Sequence, residues 1–378
     1  MEVISNINTY LMHASQALTV CNYNEVDALI FAQLSYFPFE NYTKTEKIAV
    51  PDLAAKIMQL PEFTSAYSED KQTFIKELVR CKRYSRNMIC RMQSLSTPDT
   101  RWAAFTIEIG GPDTVVIAMR GTDKTTVGWA EDFRLGYQVM GTGAQLASFR
   151  YLKETVAHKI YLTGHSKGGN NITSAFAMSN SMIRDKVIRI DNFDGPGANP
   201  EYILNYKDGY DELARKLHNF YPGGSMIGML LSDYPGETVF IKARVREGYK
   251  KLGIGGQHDP FAFLVRGNAF VRDEQTDISK ILNRTIDDLV KNTSNAQRFY
   301  MVQFLERIGI PELIAGESGR IAHFIVNFIS GCVRTTEKER HAIYHGIKTI
   351  LESLALQAKE WIALRQTKGY NIESGVSR

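Results

Sequence analysis

The sequence predicts an α/β fold: a mostly parallel central sheet flanked by helices, with N-terminal helices before it and a C-terminal helical extension after it. Three observations carry this expectation. The run Thr114–Met119 is almost continuously apolar, as a strand covered on both faces of a sheet must be. Segments with helical spacing separate the strand-like runs, the alternation that builds parallel sheets with crossover helices. Several strands run into loops rich in glycine and polar residues, where open α/β sheets place their chemistry. At 378 residues, 44% hydrophobic and 23% charged, the chain can bury a substantial core. A net charge of +4 without a long Lys/Arg block argues against nucleic acid or an acidic membrane surface as a partner.

Asn24 with Asp27 three residues later is a helix start, and Val26, Leu29, Ile30, Gln33 and Leu34 follow at helical spacing. A second helix is expected over Asp52–Leu60, punctuated by Pro51 and Pro61, and a third over Lys71–Lys82, so the chain up to that point reads as mostly helical. From Trp102 to Ile109 the period changes to two, with Phe105, Ile107 and Ile109 on one face and Thr106 and Glu108 on the other. Gly110-Gly111-Pro112-Asp113 turns the chain into Thr114–Met119, which delivers Arg120-Gly121-Thr122-Asp123 to its end. Leu146, Phe149, Leu152 and Val156 predict the helix leading into the strand Ile160, Tyr161, Leu162, and Met182–Lys186 closes the helix after it.

Val187–Phe193 is the next buried strand and ends in Asp194-Gly195-Pro196-Gly197. A helix over Glu201–Leu217 and a short strand His218–Tyr221 lead to Pro222-Gly223-Gly224-Ser225. Glu237–Val245 is the last expected strand and feeds the loop from Gly253 to Pro260. Beyond Asn268 the pattern is helical without strand signals. Ile343, Ile347, Ile350, Leu351, Leu354, Ala358 and Trp361 share one face of a long terminal helix, read as the face that packs on the body. The expected division is residues 1–266 for the sheet domain and 267–378 for the helical extension.

The four cysteines, Cys21, Cys81, Cys90 and Cys332, lack metal-ligand spacing and read as free thiols of a reducing compartment. The start Met1-Glu2-Val3-Ile4-Ser5 carries no basic region before an apolar stretch, so the expected location is cytoplasmic. The run Ile321–Val333 falls short of the ~18 apolar residues a membrane span needs and reads as a core helix. Contact with a membrane surface stays open, as does the oligomeric state.

The chemistry lies in Gly164-His165-Ser166-Lys167-Gly168, between an apolar strand and a helix of small residues. The pentapeptide alone is common; the strand–turn–helix context makes it specific. A serine on such a turn is held strained with its hydroxyl clear of the backbone, so Ser166 is the candidate nucleophile. His165 reads as a packed or solvent-facing filler rather than a catalyst. A serine needs a base and a group to orient that base. His258, in a loop after the last strand, is the best base by chain order. For the acid, Asp194 is favoured, with Asp259, Asp233 or no acid as alternatives. An oxyanion needs two N–H donors, one from the residue after the nucleophile and one from an earlier loop, hence Lys167 and Thr122. Trp129, Asp132 and Phe133 read as braces of the Thr122 loop rather than substrate contacts. Met226, Ile227, Met229, Leu230 and Leu231 read either as acyl-pocket lining or as plain core. No motif calls for a metal or cofactor.

Arg120-Gly121-Thr122-Asp123 with Trp129-Ala130-Glu131-Asp132, then Gly164-His165-Ser166-Lys167-Gly168-Gly169, then Phe193-Asp194-Gly195-Pro196-Gly197 resemble lipase class 3, the fungal triacylglycerol lipase type of α/β-hydrolase. Asn24-Glu25-Val26-Asp27 with Leu34-Ser35-Tyr36, and Gln257-His258-Asp259-Pro260, resemble a bacterial group of lipase-like proteins. The resemblance spans about residues 20 to 265. It implies Ser166 as nucleophile, His258 as base and Thr122 with Lys167 as oxyanion donors. The chain departs from it at Ser225, where class 3 lipases carry an aspartate, and at Lys167, where an apolar residue is common; the Lys167 side chain is read as meeting an anionic headgroup or solvent. The resulting expectation is a serine hydrolase of acyl or lipid-like carboxylic esters. Its alternatives are a thioesterase, acyltransferase or peptidase on the same scaffold, or an inactive binding protein with the hydrolase fold.

Overall fold

The computed structural model describes residues 5–39, 47–244, 257–310, 330–331 and 333–367. Most of the run from Ile321, Cys332, the loop residues Gly253 to Gly256 and the side chain of Trp361 lie outside the described residues. Eight described strands form one sheet in chain order: β1 (Ile48–Ala49), β2 (Met88–Ser96), β3 (Arg101–Glu108), β4 (Thr114–Met119), β5 (Lys159–His165), β6 (Val187–Phe193), β7 (Leu217–Pro222) and β8 (Glu237–Ile241). Strands β1 to β4 pair antiparallel, and β4 to β8 pair parallel.

Five helices precede β2 or flank β1: α1 (Ile7–His13), α2 (Glu25–Leu34), α3 (Val50–Met58), α4 (Phe63–Ala66) and α5 (Glu69–Arg80). The crossovers carry α6 (Thr126–Arg134) and α7 (Gly143–Lys153), then α8 (Lys167–Met178) and α9 (Ser181–Arg184), then α10 (Pro200–Asn205) and α11 (Lys207–Leu213). Right-handed crossovers between parallel strands laid down in chain order put their helices on one face. On that face α8 packs against α7 and α11, and Trp102, Ala104, Ile117, Ile160, Ile172 and Phe176 share one core. The opposite face would be left in water without the N-terminal helices. Helix α2 covers β5 and β6, and its Val26, Leu29, Ile30 and Phe31 join Phe105, Ile107, Val116 and Phe193 in a second core. Burial of every residue from Val26 to Leu34 explains why α2 is apolar nearly all round. Its start is the expected one: Asn24 Oδ1 accepts the N–H groups of Val26 and Asp27, and the Asp27 carboxylate accepts that of Asn24.

The structure corrects several element boundaries. Strand β2 was not expected; its register shifts between Cys90 and Gln93, and Arg91 sits at φ +50°, so no period-two pattern runs through it. The expected helix over Glu201–Leu217 is the pair α10 and α11, and Met182 belongs to the separate helix α9, which Asn180 caps. Strand signals do persist at the domain's end, as the small hairpin β9 (Val265–Arg266) and β10 (Ala269–Phe270).

Helices α12 (Asp277–Asn292), α13 (Asn295–Arg307) and α14 (Glu337–Thr367) follow. Helix α14 rests on α12 and α13, and α13 touches α6. The terminal helix is turned differently from the expectation: Tyr344, Ile347, Leu351 and Leu354 are exposed, while Ala342, Gly346, Thr349, Ser353 and Gln357 are buried. Hydrogen bonds hold this polar seam, with Gln357 Nε2 donating to Thr285 Oγ1 at 3.0 Å and Ser353 Oγ to Asp288 Oδ2 at 2.5 Å. No described helix is long and apolar enough to cross a membrane.

Candidate active site

Ser166 stands between β5 and α8 at φ +57°, ψ −135°, a conformation that costs a non-glycine residue on the order of 1–3 kcal/mol. Two glycines make the sharp turn fit. A Cβ on Gly164 would lie 2.2 Å from the Gly168 carbonyl oxygen, and one on Gly168 would lie 2.3 Å from that of Met119. Strand β5, helix α8 and the end of β4 therefore approach backbone to backbone, which brings the Arg120-Gly121-Thr122 loop against the turn. Arg120 anchors that loop from behind through Nη2, 2.7 Å from the Phe37 carbonyl oxygen. Lys167 opens α8, so its backbone N–H has no acceptor within the helix.

Asp194 ends β6, next to β5, and also holds a positive φ, +50°. It is fully buried. Its Oδ2 is 2.7 Å from His258 Nδ1; its Oδ1 accepts the Ser225 hydroxyl and, at 3.1 Å, the Gly228 N–H. Of the three candidate acids the structure brings Asp194 to His258. Asp259 accepts the Phe261 N–H, and Asp233 accepts from Asn283. Ser225 thus touches the carboxylate from the loop where the class 3 resemblance implies an aspartate. With an ionised Asp194, His258 donates through Nδ1, and Nε2 is the nitrogen left with a lone pair.

His165 is packed rather than solvent-facing, and its packing is specific. Its ring lies 4.5 Å from that of His258, centroid to centroid, and its Nε2 is 2.9 Å from the His258 carbonyl oxygen. A carbonyl only accepts, so the proton of His165 is on Nε2, and Nδ1 faces the Tyr36 hydroxyl at 3.1 Å. Burial, then the neighbouring His258, pushes the His165 pKa well below 6.5 and keeps the ring neutral. His165 therefore holds the backbone of His258 and Tyr36 holds His165. Neither role carries a sequence signal, since both partners are remote in the chain.

The Lys167 side chain reaches neither solvent nor a headgroup, a second correction. It is buried, with Nζ 3.0 Å from Glu131 Oε2 and 3.7 Å from Asp132 Oδ1. Burial lowers its pKa, but Asp132 and Glu131 more than offset this and leave it above the ordinary value. Glu131 is buried too and accepts the N–H groups of Ala144 at 2.8 Å and Arg101 at 3.3 Å. Asp132 Oδ2 accepts the Thr122 hydroxyl at 2.5 Å. The side chains of both expected oxyanion residues thus converge on consecutive acids of α6. Burial raises Asp132 to about 6, against the opposing pull of Lys167 and Thr122. Its side chain keeps 21% of its surface accessible and lines a cavity.

That cavity, about 630 Å³, opens onto Ser166 and Lys167. Trp129, Asp132 and Phe133 line it, so they do more than brace the Thr122 loop. Ile227, Leu230 and Leu231 also line it, whereas Met229 is buried elsewhere. The remaining walls come from α12, α13 and α14, through Leu289, Met301 and Ile343 among others. The lining is overwhelmingly apolar, the character of a site for a hydrocarbon group.

In sequence, residues 80–306 match the Mbeg1-like family. No curated protein matches the chain. Similar solved structures include the Lip2 lipase from Yarrowia lipolytica (TM-score 0.37, 10% identity, 72% of this chain and 89% of that one). Lipase II from Rhizopus niveus gives a TM-score of 0.31 at 11% identity over 54% of this chain and 73% of that one. A lipase from Rhizopus microsporus var. chinensis gives 0.33 at 11% identity over 61% and 84%.

Proposed function

The chain belongs to the Mbeg1-like family, and we propose that it is a serine hydrolase that cleaves carboxylic esters of apolar acyl groups through an acyl-enzyme. The observation that carries this reading is the His258–Asp194 bond of 2.7 Å at the strand end beside the strained turn of Ser166. His258 Nε2 takes the Ser166 hydroxyl proton as Oγ bonds to the ester carbonyl carbon. The carbonyl electron pair moves onto oxygen, which the backbone N–H groups of Thr122 and Lys167 receive. Collapse of this intermediate expels the alcohol, which leaves with the proton held on His258. Water then repeats the sequence on the acyl-Ser166 ester and releases the carboxylic acid. Asp194 stabilises the imidazolium formed in each half and fixes the ring's tautomer.

The apolar cavity beside Ser166 supports an acyl group as the part of the substrate recognised, rather than a peptide, whose backbone needs polar partners. The test is labelling by a fluorophosphonate probe together with turnover of p-nitrophenyl esters. Wild type is expected to take the label and Ser166→Ala to lose it, with turnover falling by on the order of 10³-fold or more. Folded wild type that neither takes the label nor hydrolyses any ester refutes the reading.

A further inference from the structure

We propose that Gly346 of α14 and Met301 of α13 form a length gauge in the helical wall of the cavity, setting how much of an acyl chain it accepts. This rests on the serine hydrolase reading above. Ser166, Trp129 and Phe133 of α6 and residues of the three C-terminal helices line one and the same cavity. Helix α14 packs on α12 and α13, and the wall it contributes to the cavity is separate from the strand ends that carry Ser166 and Asp194.

Gly346 lies inside a 31-residue helix. Glycine is the poorest helix former after proline, so its place there points to packing rather than propensity. The geometry supplies the packing reason. A Cβ on Gly346 would lie 2.5 Å from Met301 Sδ and 3.7 Å from Leu289 Cδ1. Gly346, Met301 and Leu289 all line the cavity, one from each C-terminal helix. The missing side chain is therefore what lets the Met301 thioether lie against α14. Any side chain at 346 pushes that flexible thioether toward the lumen and shortens it. Removing the Met301 side chain lengthens it. Ile343 and Ile350 border the same stretch and offer no polar anchor, as the methyl end of a chain requires.

The measurement is kcat/KM for p-nitrophenyl butyrate, octanoate and palmitate, expressed as the palmitate-to-butyrate ratio. Each methylene shut out of an apolar pocket is worth roughly tenfold or more in specificity. Gly346→Leu is therefore expected to lower the ratio at least about tenfold, Gly346→Ala to lower it less, and Met301→Ala to raise it. Should Gly346→Leu fail to fold, Gly346→Ala, a better helix former than wild type, and Met301→Ala still carry the test in opposite directions. An unchanged ratio in these folded variants, with wild type still labelled at Ser166, overturns the gauge and leaves the hydrolase reading standing. A wild type that takes no label and hydrolyses none of the esters removes the hydrolase reading, and the gauge falls with it.

Discussion

Asp27 in the N-terminal layer and Asp194 at the sheet end are both carboxylates with no solvent exposure, and they are satisfied in opposite ways. Asp27 is gripped by a permanent cation: Arg83 donates through Nε at 2.7 Å and Nη2 at 2.6 Å. Tyr84 and Tyr10 donate their hydroxyls at 2.7 and 3.2 Å, and Asn24 its N–H at 3.1 Å. Asp194 receives a serine hydroxyl, a backbone N–H and one histidine. Among the described residues its one bonded partner able to carry positive charge is His258, and that charge exists only when the ring is protonated. The charge of Asp27 is fully engaged in the resting fold. That of Asp194 is engaged most strongly when His258 has taken a proton, the condition for stabilising a transition state rather than a ground state. Under the proposed mechanism the contrast separates a carboxylate that holds the fold from one that serves the chemistry.

The largest expected effect tests the second half of this contrast. Asp194→Asn keeps the shape and can still accept from Ser225 and Gly228, but it offers no charge to an imidazolium and permits the wrong tautomer. Turnover is expected to fall on the order of 10⁴-fold while the melting transition stays near that of wild type. Turnover within about tenfold of wild type would show that the burial of Asp194 is structural, like that of Asp27, and the distinction would fail.

The complementary test strips Asp27 of its cation. Arg83→Met leaves a buried carboxylate without a counter-charge, which costs about 3–5 kcal/mol of folding stability. Urea unfolding is the measurement, with turnover per folded molecule expected to match wild type. If kcat fell as steeply as stability, the N-terminal cluster would belong to the site after all.

Legibility in the sequence divides along the same line, between features written locally and features made by distant partners. The turn at Ser166 was legible because strand, glycines and serine are contiguous, β4 because it is a uniformly buried run, and β6 because its second half is. The contact of His258 with Asp194 joins a residue singled out by chain order to one singled out by its place at a strand end. Strand β2 was hidden by its bulge at Arg91, which breaks the alternation that reveals other strands. The burial of Lys167 was hidden because a lysine ordinarily points to water; its partners Glu131 and Asp132 stand more than thirty residues earlier, and only two consecutive acids beside Trp129 hinted at them. Of the cavity only the wall from the loop after β7, with Ile227, Leu230 and Leu231, was legible; the rest is assembled from α6 and three C-terminal helices remote in the chain. The terminal helix misled in part: Ile343 and Ile350 of its apolar stripe do line the cavity, but Leu351 and Leu354 are exposed and a hydrogen-bonded polar seam is turned inward.

The smallest expected effect sharpens how Asp194 is held. Its Oδ1 has two donors, Ser225 Oγ and the Gly228 N–H, and the same N–H also reaches Ser225 Oγ at 3.1 Å. The loop after β7 thus contributes a neutral donor where the class 3 resemblance implies the acid itself, and the carboxylate comes from the neighbouring strand. Ser225→Ala removes a bond to a charged group, worth about 1.5–3 kcal/mol, but leaves the Gly228 N–H in place. Part of that loss should appear as a lower melting temperature and part as misalignment of His258, with kcat/KM reduced roughly tenfold. Ser225→Thr, which keeps the hydroxyl, is expected to recover most of the activity. If Ser225→Ala instead matched Asp194→Asn in its loss of turnover, the Gly228 N–H would not suffice to hold the carboxylate, and Ser225 and Asp194 would orient His258 as one inseparable unit.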